Sequence, residues 1–193
     1  MGEPKNILII RTSAIGDVVM ASPMLPVLRR AFPQARIYWL AEPQVADLLA
    51  CNPDIAGLVS WPKKRWKAYW RRARLPALCT EMRRLAKELR RHRFDLVIDA
   101  QGLARSRLMA RLSGAPERIG LDSKEPGRFL MTCIVHQQRA APQMGSEYAQ
   151  LMRELKLAPN DFRAHIVLCP HDRLAAHERL YAEGLRGPYA VFC

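Results

Sequence analysis

The segment RTSAIGD, residues 11–17, places an aspartate where an apolar run gives way to a helical pattern. A carboxylate there has two chemical uses. Asp17 can cap the helix and complement its dipole. Alternatively, it can serve as a general base, kept ionised by the helix amino terminus and therefore ready but intrinsically weak. The turn has one glycine, so it is neither the GxGxxG turn nor the GxxxxGK[ST] loop that lets backbone approach phosphates. A nucleotide held in the usual Rossmann manner is not expected in this domain. A second group follows the run DLVIDA: Asp99, Gln101, Gly102 and Arg105. Gly102 reads as a turn residue, Gln101 is suited to hydrogen-bond a hydroxyl, and Arg105 to pair with a carboxylate.

The charge distribution is the third chemical signal. The chain has 31 Lys and Arg against 18 Asp and Glu, a net +13. Between Lys63 and Arg93 stand thirteen cations and two acids, so +11 of that charge lies in 31 residues. Such a field attracts nucleic acid, an anionic membrane surface or a phosphorylated substrate, unless it is only a solvated helix face. Trp66, Tyr69 and Trp70 interleave with the first of these cations. They either pack a loop onto the domain or touch sugar faces or lipid headgroups, and one Trp is expected to do each. No RNP, KH or OB signature accompanies them, so nucleic acid is not the expected partner.

These residues need a scaffold, and the pattern supplies one. Strands are expected at Asn6–Arg11, Arg36–Leu40, Gly57–Trp61, Asp95–Ala100, Arg118–Gly120 and Ala164–Leu168. Helices are expected from Gly16, broken at Ser22 before Pro23, then at Gln44–Ala50, Leu75–Arg91, Gly102–Leu112, Ser146–Lys156 and Pro170–Ala182. In Leu75–Arg91 the residues Leu75, Leu78, Met82, Leu85 and Leu89 recur at spacings of three and four, an amphipathic helix with a basic outer face. Residues 137–145 read as loop and Tyr189–Cys193 as a strand. Alternation of strand and helix implies an α/β fold, a Rossmann-like, doubly wound parallel sheet. Ligands of such sheets lie beyond the carboxyl ends of the strands, here near residues 12–17 and 100–105.

With 193 residues and 49% hydrophobic content, the chain can bury one sizeable core. The apolar run before Arg11 is too short for a signal peptide or a membrane span, so a cytoplasmic location is expected. Cys51, Cys79, Cys133, Cys169 and Cys193 are odd in number and form no CxxC pair, which predicts reduced thiols, with neither a disulfide nor a zinc site. His136, His165, His171 and His177 show no ligand spacing and read as surface or core residues.

The segment ILIIRTSAIGDVVMASPML resembles the amino-terminal signature of the glycosyltransferases of family 9. RWKAYW and FDLVIDAQGLARS are similar to its heptosyltransferase I branch, as are KEP at 124–126 and the closing YAVF. The resemblance implies the GT-B fold, two Rossmann-like domains facing each other across a cleft. Residues 1–187 would form the acceptor-binding domain and 188–193 the first strand of a donor-binding domain otherwise absent. It implies an acceptor, Kdo-bearing lipid A, in the first domain and the donor ADP-heptose in the second, with no cofactor and no metal. Asp17 stands at the position of the catalytic base. Thr12, Ser13, Lys64, Arg65, Lys67, Gln101, Arg105, Lys124 and Glu125 stand where acceptor contacts are expected. The expected reaction is heptosyl transfer with inversion, at the cytoplasmic face of the inner membrane. The chain alone is expected to be inactive, and the alternative is a non-catalytic module that binds a polyanion or glycolipid.

Overall fold

The computed structural model describes residues 3–136, 145–157 and 162–187. Six strands form one sheet: β1 (Asn6–Ile10), β2 (Arg36–Ala41), β3 (Gly57–Ser60), β4 (Leu96–Asp99), β5 (Glu117–Leu121) and β6 (Cys133–Val135). All pairings are parallel, in the order β3-β2-β1-β4-β5-β6. This is the doubly wound arrangement expected from the alternation, and the winding reverses between β1 and β4. Ile10 pairs with Asp99 in register at that switch, so the loops leaving both strands begin side by side at the sheet's carboxyl edge, where doubly wound folds form a ligand crevice.

The helices are α1 (Ile15–Ala21), α2 (Met24–Ala31), α3 (Pro43–Leu49), α4 (Lys63–Arg71), α5 (Leu75–Arg91), α6 (Ala104–Leu112), α7 (Ser146–Glu154) and α8 (Pro170–Ala182). β1 reads as an unbroken apolar run because both its faces are covered. Ile7 and Ile9 enter one core with Val18, Leu25, Leu28, Leu49, Leu151 and Met152. Leu8 and Ile10 enter a second core with Leu85, Leu89, Met109 and Ala110, and Trp66 packs against it. The Leu75–Arg91 helix has its expected limits, with Leu85, Ala86 and Leu89 buried. The break at Ser22 also forms: its hydroxyl donates to the Val19 carbonyl at 2.7 Å and accepts from the His165 amide at 2.7 Å.

Four expectations need correction. Residues 63–71 are helix α4 rather than loop, because Trp66 packs edge-on against buried Trp61 and anchors that turn (5.9 Å between ring centroids, 82°). Strand β6 was not expected; it is three residues long, too short to carry a period. Residues 164–168 form no strand, because their backbone binds side chains instead of a sheet edge: Asn52 Nδ2 donates to the His165 carbonyl. Finally, Cys51 and Cys169 are joined in a disulfide. They are 118 residues apart, and only the return of 162–169 past the end of α3 brings them together. Cys79 is a free, exposed thiol and Cys133 a free, half-buried one. The expected loop at 137–144 and strand at 189–193, with the domain boundary at 188, lie outside the described residues. Among the described residues, no helix is long and apolar enough to cross a membrane.

Candidate active site at the switch point

The loop after β1 is held from three sides. The buried Trp39 indole donates to the Arg11 carbonyl at 2.9 Å, and the Glu42 amide donates to the Thr12 carbonyl at 3.0 Å. Gln101, after β4, accepts through Oε1 from both the Thr12 hydroxyl (2.7 Å) and the Thr12 amide (3.0 Å). Thr12 is fully buried and its hydroxyl donates to Gln101, which ties the loop after β1 to the loop after β4. Gln101 is only half-buried, and this pairing spends its oxygen while no protein acceptor for its amide nitrogen occurs among the described residues. Ser13 is half-buried on the same loop.

This clamp delivers Asp17 to the first turn of α1, where its Oδ2 accepts from the Ala14 amide at 3.2 Å. The same oxygen pairs with the Arg11 guanidinium. Asp17 therefore caps its helix as the bland reading requires, yet its side chain keeps 37% of its surface exposed, against 13% for Arg11. Arg11 is itself anchored: Nη1 donates to the Ala100 carbonyl at 3.2 Å, and the guanidinium lies 5.8 Å from the Tyr148 ring centroid. Burial pushes the Tyr148 phenol up to about 12, against the pull of Arg11, so this ring stays neutral. Arg11 was not singled out by sequence, although a cation ending a four-residue apolar run is a signal for a sheet edge.

A cationic cluster lies farther along the edge, beyond β2 and β3. Buried Glu42 pairs with Lys63 at 2.8 Å. Lys63 and Arg105 each sit 5.8 Å from the ring centroid of buried Trp61, which brings the exposed Arg105 beside this cluster. On α4, Lys64 and Lys67 are exposed and form no ion pair among the described residues. Arg65, by contrast, is paired with Glu81 and fastens α4 to α5. Of the two tryptophans, Trp66 packs against Trp61 as expected of one of them, and Trp70 is 68% exposed.

Beyond β4 and β5 a buried polar network sets the other wall. Asp99 is fully buried; Oδ1 accepts from the amides of Gln101 (3.0 Å) and Gly102 (3.1 Å), and Oδ2 from the Ser106 hydroxyl (2.9 Å). Gly102 has φ +66, and a Cβ there would come 3.0 Å from the Leu121 carbonyl oxygen. The fully buried Arg107 donates to the Leu121 carbonyl (3.3 Å), the Ser123 hydroxyl (3.1 Å), the Pro126 carbonyl (3.1 Å) and the Glu125 carbonyl. The exposed side chains of Lys124 and Glu125 are thus displayed on a loop whose backbone is tied down from beneath.

Burial raises the Asp99 carboxyl from 3.8 to about 6, despite its hydrogen bonds and the nearby Arg107 charge. The folded state then holds a proton that the unfolded chain has released, so Asp99 favours folding below 3.8 and loses that contribution as pH rises through about 6. In Asp99→Asn, the amide oxygen keeps both backbone donors, and the amide nitrogen donates to Ser106, whose hydroxyl already reaches the Leu103 carbonyl at 2.8 Å. Denaturant titrations should show this variant gaining about 1 kcal/mol relative to the unsubstituted chain between about pH 5 and pH 7.5. A constant difference across that range would contradict the assignment.

The family profile of glycosyltransferase family 9 (heptosyltransferase) matches residues 82–193. Lipopolysaccharide heptosyltransferase 1 of Pseudomonas aeruginosa is 35% identical over 125 residues, 63% of this chain and 34% of that protein. The same enzyme of Escherichia coli K12 is 28% identical over 124 residues, 63% of this chain and 38% of that protein. The match thus spans little more than a third of these curated relatives. A family 9 glycosyltransferase of Veillonella parvula shares the fold with a TM-score of 0.77 at 22% identity, over 94% of this chain and 50% of that one. The E. coli heptosyltransferase WaaC, solved with ADP-2-deoxy-2-fluoro heptose, gives 0.68 at 23% identity, over 82% of this chain and 51% of that one. The profile covers more than half of the chain and a relative of that name shares over a third of its residues in the matched part, so this protein belongs to glycosyltransferase family 9, the heptosyltransferases.

Proposed function

We propose that this chain forms the acceptor side of an inverting heptosyltransferase, with Asp17 as the general base. The observation that carries the reading is the place of Asp17: at the switch-point crevice, partly exposed, on a loop fixed by Trp39, Glu42 and Gln101. Asp17 would take the proton of an acceptor hydroxyl as that oxygen attacks the anomeric carbon of the heptose. The bond to ADP breaks, ADP leaves with the bonding electrons, and the configuration inverts. Arg11 holds the carboxylate aimed through its own anchors on Ala100 and Tyr148.

The acceptor is Kdo-bearing lipid A, whose carboxylates and phosphates would meet Arg105, Lys63, Lys64, Lys67 and Lys124 around the crevice. Ser13, the free amide nitrogen of Gln101 and Glu125 would address its hydroxyls. ADP-heptose would be supplied by a donor-binding domain facing this one, as the solved relative with a fluorinated ADP-heptose suggests. Taken by themselves, these 193 residues would bind acceptor and not turn over. The enzyme would work at an anionic membrane surface, where its acceptor lies.

Titration of the chain with a Kdo-lipid A analogue, beside a single-stranded oligonucleotide, tests the reading. Binding of the glycolipid should weaken as salt rises, because exposed charge contacts are screened. Arg105→Ala should weaken it by about tenfold, the ~1.5 kcal/mol of one charge-assisted hydrogen bond. Preference for the oligonucleotide, or affinity indifferent to salt, would overturn the acceptor assignment.

A further inference from the structure

Five of the thirteen cations of the basic segment, Arg83, Arg84, Lys87, Arg90 and Arg91, lie on α5. On that helix Leu75, Cys79, Met82 and Ala86 follow one another at spacings of four, three and four and so form one stripe. The stripe is about 16 Å long at the helical rise. Leu75 is 52% exposed at its start. Farther along, Cys79, Met82 and Ala86 with Leu112 of α6 line a groove of about 840 Å³, and Arg83, Lys87, Arg90, Arg91 and Arg93 share its lining. Arg90 donates to the Leu112 carbonyl at 3.1 Å and closes the groove against α6. Arg83, Lys87, Arg91 and Arg93 form no ion pair among the described residues.

An apolar strip bordered by unpaired cations has the chemistry of an amphiphile site. Soluble polyanions need the cations but give the apolar atoms nothing; an anionic lipid uses both, with its phosphate among the guanidinium groups and its chain along the strip. Trp70, exposed on the neighbouring α4 between cations, adds a side chain suited to the headgroup layer.

We propose that the groove between α5 and α6 is a docking site for anionic phospholipid, which seats the protein on a bilayer through a surface separate from the acceptor crevice. This deepens the membrane part of the functional reading and rests on it, but it uses none of the acceptor chemistry. Vesicles free of acceptor sugar therefore test it separately.

The experiment is flotation of the full 193-residue chain with phosphatidylcholine vesicles, with and without phosphatidylglycerol. Binding should require phosphatidylglycerol, and Arg83→Gln combined with Lys87→Gln should weaken it about tenfold or more, since each cation near an anionic surface contributes roughly 1 kcal/mol. Both positions lie on the outer surface of α5, so circular dichroism should be unchanged. A chain carrying Cys133→Ser and Cys193→Ser, labelled at Cys79 with an environment-sensitive fluorophore, reports the groove itself: its emission should shift to the blue on the anionic vesicles. Equal binding to both vesicle types, binding without the blue shift, or displacement by duplex DNA at charge-equivalent concentration would each overturn the proposal. If vesicles bind as described while the Kdo-lipid A analogue does not, the acceptor reading alone falls.

Discussion

Asp17→Asn, introduced into a protein that joins this chain to an ADP-heptose-binding half, should lower the rate of heptosyl transfer by roughly a hundredfold to ten-thousandfold, the span ordinarily supplied by a positioned general base. The substitution leaves an oxygen to accept from the Ala14 amide, so the capping role survives while the proposed basic function is removed. Three measurements separate the two roles. Single-turnover transfer should collapse, acceptor affinity should stay within a few-fold, and the denaturation midpoint should barely move. If instead the midpoint falls and transfer persists, Asp17 is a helix cap and the base lies elsewhere. Arg11→Gln gives the complementary result. Its loss frees Asp17 from the guanidinium that orients it, so transfer should fall although the carboxylate itself is still present.

Arg107→Met should have the largest effect on stability, about 3–5 kcal/mol, although the residue lies in no expected site. Its guanidinium is fully buried and donates to the Leu121, Glu125 and Pro126 carbonyls and to the Ser123 hydroxyl. Methionine fills much of the volume and satisfies none of these acceptors. Asp99 would also lose the cation that partly offsets the cost of burying its carboxyl. Lysine is a poor substitute, because one ammonium cannot reproduce a planar fork reaching four oxygens. Since domains of this size are stable by only about 5–15 kcal/mol, the loss should show as a much lower denaturant midpoint and reduced soluble yield. A change below about 1 kcal/mol would mean that water replaces the guanidinium at modest cost. Loosening of residues 121–126 should also weaken any ligand held by Lys124 or Glu125.

Much of this architecture was legible in the residues. Asn6–Ile10 is buried on both faces, and continuous apolar runs are how such strands are written. The three- and four-residue spacing of Leu75 to Leu89 set α5 to the residue, and Ser22-Pro23 marked the break between α1 and α2. Once strands alternate with helices, the handedness of the crossovers leaves few topologies, and the switch-point rule puts ligands near residues 12–17 and 100–105. The position of Asp17 at that crevice followed from local pattern alone.

What the tertiary structure decided were matters of partnership. Whether a polar residue is available or spent depends on what lies opposite it, and that is often far away in the chain. Thr12 and Gln101 are 89 residues apart and satisfy each other. Arg65 is taken by Glu81, Trp66 by Trp61, and Cys51 by Cys169, while Trp70 and Lys67 remain exposed. Residues 164–168 have the composition of a strand, but their amide and carbonyl groups meet Ser22 and Asn52 instead of a sheet edge. Periodicity records which side of an element is apolar, because burial selects residue type along the chain. It carries no record of which distant donor meets which acceptor, and that pairing separates Asp17, still partly open beside Arg11, from the polar residues around it that the fold has already used.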